Sequence, residues 1–123
     1  MEGRYKKFYE KDVWLMAYKL QKKIFELVQN FPRHENFGLV DQLNRAANSV
    51  LANMAEADGR YHYADKMRVM YIVRGEIQEV QSHLIVAASR NYLDKCLATD
   101  LVNQYETVKR IVNSFIASLA QNK

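Results

Sequence analysis

The chain has 123 residues, of which 49% are hydrophobic and 26% are charged, and it contains four glycines, one proline and one cysteine. This length and balance suit one folded domain with a single core and exclude a disordered chain. The shortage of glycine and proline disfavours a turn-rich β fold. A lone cysteine excludes an internal disulfide and a cysteine-based zinc site. The formal net charge of +4 permits binding to nucleic acid without requiring it.

No segment of the sequence is typical of secretion or of membrane insertion. The first twelve residues, MEGRYKKFYEKD, are polar and charged, whereas a signal peptide needs an apolar segment. The sequence lacks the run of about 18 apolar residues that a membrane-spanning helix requires. The lone cysteine, Cys96, fits a reduced compartment. We therefore expect a cytoplasmic protein without a membrane partner.

Apolar residues recur at alternating spacings of three and four in four segments, which is the pattern of a helix with one buried stripe. We predict helices over about residues 11–30, 37–57, 64–90 and 95–121, within a single domain that spans 1–123. Because every connection is short, consecutive helices are expected to run antiparallel. The sequence thus predicts an all-α, up-down-up-down four-helix bundle.

Each predicted helix has its own stripe of core residues. The third and fourth stripes keep the spacing without a break, as packing at small crossing angles requires. In chain order the stripes are Val13, Met16 or Ala17, Leu20, Ile24, Leu27 and Phe31; Leu39, Leu43, Ala46, Val50 and Met54 or Ala57; Met70, Val73, Ile77, Val80, Leu84 and Ala87; and Leu101, Tyr105, Val108, Val112, Phe115 and Leu119.

The predicted connections contain turn and capping residues. The segment NFPRHENFG (30–38) holds the only proline and separates the first two helices. Gly59 is placed to cap the end of the second helix, and Asp65 is placed to begin the third. Asn91 is a stop signal after the third helix, and Asp94 is a candidate cap for the fourth.

Several apolar residues lie off these stripes. They either form an interface between copies, since large apolar patches on small proteins mark such surfaces, or they broaden the internal face of each helix. Periodicity does not choose between the two interpretations. The residues are Trp14, Tyr18, Phe25, Ile72, Ile85, Ile111 and Ile116.

The segment RAANSVLANMAEADGR (45–60) combines small and polar side chains. Its core positions are flanked by Ala47 and Ala55, which let a neighbouring helix approach closely. Arg60 follows Glu56 by four residues and is therefore predicted to pair with it. A second stripe, polar and small, predicts contact within the bundle or between subunits, and it comprises Arg45, Ser49, Ala52 and Glu56.

Four residues invite comparison with di-iron bundles, which hold metal between carboxylates and histidines: Glu56, Glu76, Glu79 and His83. Those proteins need two Glu-x-x-His motifs plus two further glutamates, and this chain has no such motif. A solvated helix face or a structural hydrogen bond is the simpler interpretation. Since the sequence has neither a nucleophile elbow nor a phosphate-binding loop, we expect no enzymatic activity, no metal and no cofactor.

Two groups of cations are candidates for contact with nucleic acid. The first lies within residues 4–23, a range that contains only two acidic residues, Glu10 and Asp12. The second alternates with Tyr61, His62 and Tyr63, and cations beside aromatic rings can bind phosphates and stack on unpaired bases. The alternative is a solvated helix end whose tyrosines pack on the bundle. The candidates are Arg4, Lys6, Lys7, Lys11, Lys19, Lys22 and Lys23 in the first group, and Arg60, Lys66 and Arg68 in the second.

One long segment resembles a known family. FPRHENFGLVDQLNRAANSVLANMAEADGR (31–60) is similar to the signature of small four-helix-bundle proteins named for open reading frames in the intervening sequences of bacterial large-subunit (23S) rRNA. Two positions depart from that pattern, because Ala57 replaces a glycine and Glu76 replaces a serine. The matching positions are Val13, Trp14, Ala17 and Leu20; Phe31, Pro32, Glu35, Phe37, Gly38, Leu39, Gln42, Leu43, Arg45, Ala46, Ala47, Ser49, Val50, Asn53, Ala55, Glu56 and Arg60; and Gly75, Glu79, Val80, Leu84, Ala87, Tyr92 and Leu93.

The resemblance implies a closed four-helix bundle that assembles as a ring, most often a homopentamer. It also implies a distant kinship with the accessory variability determinants of diversity-generating retroelements, which are basic pentameric barrels that bind nucleic acid and a reverse transcriptase. It implies no catalytic residue. We therefore expect a non-enzymatic oligomeric adaptor that binds RNA or DNA, with a reverse-transcriptase-like protein as a further candidate partner. The alternative is a ring whose partner is another protein and whose positive charge serves only solubility.

Overall fold

The computed structural model describes residues 6–122, and over this range the chain forms four long α-helices and no strand. The helices are α1 (Asp12–Leu27), α2 (Leu39–Gly59), α3 (Tyr63–Ser89) and α4 (Lys95–Asn122). One short 3₁₀ turn precedes α1, and two more, ending at Glu35, connect α1 to α2. The predicted all-α fold of four helices is confirmed.

Polar contacts between α3 and α4 show the relative direction of the two helices. Arg74 on α3 donates a hydrogen bond to Asn113 on α4 over 3.0 Å, and Gln81 donates to Glu106 over 3.0 Å. Residue numbers thus rise on one helix as they fall on the other, so the two helices are antiparallel. Each helix packs against the next in the chain, and α4 packs against α1.

The predicted stripes form most of the core. Nearly all their members are buried, from Ala17, Leu20 and Ile24 on α1 to Leu119 on α4, although Val13, Met16 and Leu27 are only half-buried. Tyr105 lies fully buried in the centre, and within the described residues its hydroxyl has no hydrogen-bond partner. Burial disfavours the charged phenolate and raises the pKa of Tyr105 far above its usual value.

The α4 stripe is wrong at one position. Phe115, predicted to be in the core, is 42% exposed, and its neighbour Ile116 is 6% exposed and fills that place. The other off-stripe residues differ in burial, and only Trp14 broadens the internal face as the second interpretation predicts. Trp14 packs on the core and its indole Nε1 donates to the Leu51 carbonyl over 3.2 Å, whereas the remaining five lie exposed on the surface, namely Tyr18, Phe25, Ile72, Ile85 and Ile111.

The helix ends confirm two capping predictions and overturn two. Asn91 has a left-handed backbone with φ of 62°, and the Asp94 carboxylate accepts hydrogen bonds from two amides in the first turn of α4. Gly59 is not a cap, because it is the last residue of α2 and the chain leaves through an extended residue, Arg60. Nor does Asp65 begin α3. The helix begins at Tyr63, which places the Asp65 carboxylate in the first turn, where the helix dipole favours negative charge.

None of the helices described in the structure is both long enough and apolar enough to cross a membrane.

Candidate nucleic-acid interface

The outer side of α1 carries three exposed lysines, Lys19, Lys22 and Lys23. The opposite side of the helix is buried, so the 3.6-residue repeat turns these lysines toward solvent. None of the ion pairs formed within residues 6–122 involves any of the three lysines. Their charges are therefore open to a ligand.

Two aromatic side chains lie among these lysines. Phe25 is 54% exposed, and the Lys22 ammonium lies 5.5 Å from the centre of the exposed Tyr18 ring. The Tyr18 ring is also stacked on Trp14, with the two ring centres 5.3 Å apart, which fixes its orientation. We name this surface the α1 lysine face and define it as Tyr18, Lys19, Lys22, Lys23 and Phe25.

The other candidates of the N-terminal group have different surroundings. Lys6 and Lys7 are exposed before α1, and Lys11 forms an ion pair with Asp58 on α2. Arg4 lies outside the described residues. Lys11 therefore serves to join α1 to α2, and it is less available to a phosphate than the three lysines further along the helix.

The second group of cations is occupied by contacts within the chain. Arg60 pairs with Glu56 at 2.7 Å, as predicted, and Arg68 lies 3.5 Å from the carboxylate of Asp65. The Lys66 ammonium donates to two carbonyls at the end of α2, those of Ala57 and Asp58, over 3.2 and 3.0 Å. These contacts stabilise the α2–α3 connection and reduce the charge available to a ligand.

The aromatic residues of this connection do not pack on the bundle. Tyr61 is 86% exposed, and His62 and Tyr63 are also exposed. The Tyr61 and His62 rings contact each other edge to face, with their centres 5.0 Å apart. The region thus combines exposed rings with cations that already have partners, which matches neither of the two sequence-based interpretations completely.

Two residues of the family-like motif, Arg45 and Glu79, meet between α2 and α3. The Arg45 guanidinium hydrogen-bonds the Glu79 carboxylate and lies 3.6 Å from Glu76, and His83 lies 3.3 Å from Glu79. Burial, and then the positive charge of Arg45, lower the pKa of His83 below its usual value.

This cluster has the character of a structural ion-pair network. Arg45 places a positive charge beside both glutamates, which opposes the binding of a cation. Across residues 6–122, no three His, Cys, Asp or Glu side chains are arranged so that they could hold a metal ion. The nearby Asn53 amide donates to the Ser49 carbonyl over 2.9 Å, which is a contact within α2.

A buried carboxylate joins the α1–α2 and α3–α4 connections. Glu35 is 9% exposed, and its Oε2 accepts hydrogen bonds of 2.8 Å from both the Arg90 guanidinium and the Tyr92 hydroxyl. Its Oε1 accepts from the Leu39 amide over 3.2 Å and so caps α2. A Cβ on Gly38 would lie 2.9 Å from this oxygen, which explains a glycine at that position.

We call Glu35, Gly38, Leu39, Arg90 and Tyr92 the connection cluster. The hydrogen bond from Tyr92, followed by that from the Leu39 amide, outweighs burial and lowers the pKa of Glu35. The same bond to Glu35 raises the pKa of Tyr92. Periodicity gave no sign of this cluster. The only available signal was the occurrence of Glu35 and Gly38 together in the motif.

The remaining motif residues serve the fold. Ala46 and Ala47 are fully buried, Phe31 is also buried, and the Phe31 ring packs beside that of Tyr92. The Gln42 amide oxygen accepts a hydrogen bond from Arg45 over 3.3 Å. Pro32 is half-buried in the turn before α2. A Cβ added to Gly75 would meet nothing within 4 Å among the described residues, so sterics do not explain that glycine.

Most of the chain matches one known protein family. Residues 9–114 match the family described as 23S rRNA-intervening sequence protein, a range that includes all of α1, α2 and α3. The chain belongs to this family. The match extends well beyond the central motif of residues 31–60 and covers most of the chain.

A solved structure shows the same fold. It is a protein of unknown function from the S23 ribosomal protein family of Bacteroides thetaiotaomicron VPI-5482, with a TM-score of 0.76 and 20% sequence identity. The alignment covers 85% of this chain and 97% of that one. At this identity the likeness establishes the fold alone. A search of curated proteins finds no match.

Proposed function

We propose that this member of the 23S rRNA-intervening sequence protein family is a non-enzymatic, oligomeric accessory protein that binds RNA or DNA in the cytoplasm. The observation that carries the proposal is the α1 lysine face, where three lysines without acidic partners in residues 6–122 lie beside exposed aromatic rings. Lysines bind phosphates, and exposed rings can stack on unpaired bases.

The arrangement of charge supports α1 over the α2–α3 connection as the binding surface. A cation that already pairs with a carboxylate or a helix carbonyl must give up that contact before it can hold a phosphate. Arg60, Lys66 and Arg68 have such contacts, whereas Lys19, Lys22 and Lys23 have none within the described part of the chain. Assembly would repeat the α1 lysine face in every copy and so raise affinity through multivalency.

The test is a fluorescence anisotropy titration at low salt with labelled single-stranded RNA, single-stranded DNA and duplex. The variant Lys19→Gln/Lys22→Gln/Lys23→Gln removes three charges from the face. The control Arg33→Gln/Lys95→Gln/Arg110→Gln removes three charges from other exposed positions. We expect the first variant to lose at least about tenfold in affinity and the control to lose much less. No binding by the wild type to any of the probes would refute the proposal.

A protein-binding ring is the second candidate, and the exposed apolar residues Ile72, Ile85 and Ile111 favour it. Purification without nuclease distinguishes the two. Nucleic acid that elutes with the protein and is released by salt supports the first proposal. A single stoichiometric protein partner, such as a reverse-transcriptase-like protein, without nucleic-acid absorbance supports the second. Light scattering on the same peak measures the size of the assembly, which we propose is a homopentameric ring.

A further inference from the structure

Phe37 projects fully into solvent from a rigid turn. Its side chain is 99% exposed, which is exceptional for a phenylalanine. The backbone on both sides is fixed, because the Gly38 amide donates to the Glu35 carbonyl over 3.0 Å and the Leu39 amide donates to the Glu35 carboxylate over 3.2 Å. The connection cluster therefore fixes the backbone from which this ring projects, so only the side-chain rotamers of Phe37 remain to be ordered on binding.

A cavity of about 200 Å³ opens at the other end of the bundle. It lies between the start of α1, the end of α2, the start of α3 and the C-terminal half of α4, and most of its surface is apolar. A cavity of about 150 Å³ accepts benzene in another protein, so this one has room for a phenyl ring. Six of its lining residues are Phe8, Trp14, Met54, Met70, Ile111 and Phe115.

The ring and the cavity cannot meet within one copy of the chain. Phe37 precedes α2, whereas Met54 and Ala57 line the cavity near the end of that helix. An α-helix rises about 1.5 Å per residue, so the stretch of chain from Phe37 to Met54 and Ala57 separates the two features by roughly 25–30 Å. A contact between them requires a second copy.

We propose that Phe37 of one copy inserts into the cavity of a second copy, in a head-to-tail contact that repeats from subunit to subunit. The occupant is a phenyl ring for which the cavity has room, and the same chain provides both the ring and the cavity. A head-to-tail contact closes into a ring when its rotation permits. The inference rests on the oligomeric part of the proposed function and supplies the contact by which the subunits associate.

The first test compares two exposed aromatic residues by light scattering across a dilution series. We expect Phe37→Ser to weaken association at least about tenfold, the usual loss for a buried aromatic anchor, and Tyr61→Ser to leave it unchanged. Trp14, the only tryptophan, lines the cavity and reports on it directly. Its fluorescence should be quenched less by iodide in the assembled wild type than in Phe37→Ser.

The second test uses the cavity side. Ile111→Glu places a charge at the cavity, and Ile85→Glu is a matched change at an exposed isoleucine elsewhere. Only Ile111→Glu should weaken association. A mixture of Phe37→Ser, which keeps the cavity, with Ile111→Glu, which keeps the ring, has one intact contact and should stop at a heterodimer of two 14.4 kDa chains.

The outcomes separate this inference from the proposed function. If the Phe37→Ser variant associates as strongly as the wild type, or if Trp14 stays equally protected from iodide in that variant, the inference alone is overturned. A wild type that stays monomeric at every concentration overturns it together with the oligomeric part of the proposed function. Nucleic-acid binding is scored separately with the lysine variants, because Phe37 lies outside the α1 lysine face.

Discussion

The connection cluster and the α1 lysine face treat charge in opposite ways. In the connection cluster, Glu35 is buried and its oxygens accept three hydrogen bonds, from Arg90, Tyr92 and the Leu39 amide. On the α1 lysine face, three lysines project into solvent and form no ion pair within the described chain. The charge of Glu35 is thus satisfied by contacts within the fold, whereas the charges of the three lysines remain available to a ligand. Substitutions in the first region should change stability, and those in the second should change binding.

The largest effect on stability is expected from Glu35→Ala. The change uncaps α2 and leaves the Arg90 guanidinium and the Tyr92 hydroxyl without their shared acceptor. The melting temperature should fall clearly, whereas Glu56→Ala, which removes only the exposed pair with Arg60, should cost about 0.2–1 kcal/mol. Both variants should bind nucleic acid as the wild type does when folded. Equal melting temperatures for the two variants would contradict the structural role of Glu35.

Two glycines sharpen the same comparison. In Gly38→Ala the new methyl group would lie 2.9 Å from a Glu35 oxygen held by the Leu39 amide, so we expect a loss of about 1–3 kcal/mol. In Gly75→Ala the new methyl group would meet nothing within 4 Å in the described chain, and alanine in a helix interior should gain about 0.5–1 kcal/mol. Urea unfolding of both variants measures the two changes. A destabilised Gly75→Ala would show that this position has a contact beyond one copy of the chain.

The connection cluster also predicts how stability depends on pH. Its hydrogen bonds lower the pKa of Glu35 below the ordinary value of 4.5. The unfolded state then binds more protons, so the contribution of Glu35 is present above that value and is lost as the pH falls through the folded pKa. The stability difference between the wild type and Glu35→Gln should therefore shrink between pH 6 and pH 3. A difference that stays constant across this range would show that Glu35 does not titrate in this way.

The smallest effect on stability is expected on the lysine face. Because Lys19, Lys22 and Lys23 hold no acidic partner within residues 6–122, their joint replacement by glutamine should change the free energy of unfolding by no more than about 0.5 kcal/mol for each site. Thermal unfolding measures this directly. A large loss would mean that these side chains support the bundle or a subunit contact, and the division between the two regions would not hold.

Much of the fold was predictable because local pattern decides it. Spacings of three and four located all four helices, and Asn91 and Asp94 marked the α3–α4 connection correctly. A small drift of the helix explains why Ile116 is buried in α4 in place of Phe115, the residue that the spacing predicted. A straight helix drifts by about 20° per heptad relative to a strict 3.5-residue repeat, so a long helix such as α4 needs an extra step of four.

The candidate site was less predictable because it depends on contacts between distant residues. The sequence showed a run of lysines in α1 but could not show that Lys11 pairs with Asp58, 47 residues away, while Lys19 forms no ion pair in the described chain. It likewise placed Lys66 in a cationic group without revealing that its ammonium donates to two carbonyls at the end of α2. The burial of Glu35 depends on two connections meeting at one end of the bundle. Pairing of this kind follows from tertiary structure and not from periodicity.

The salt dependence of nucleic-acid binding tests the role of the α1 lysine face most directly. Each phosphate contact contributes about −0.7 for single strands, or −0.9 for duplex, to the slope of log K against log salt concentration. We predict that Lys19→Gln/Lys22→Gln/Lys23→Gln makes this slope shallower by roughly 2 to 3 per bound protomer, and that Arg60→Gln/Lys66→Gln/Arg68→Gln leaves it close to the wild-type slope. That role would be contradicted if the slope kept its wild-type value in the first variant and became shallower in the second.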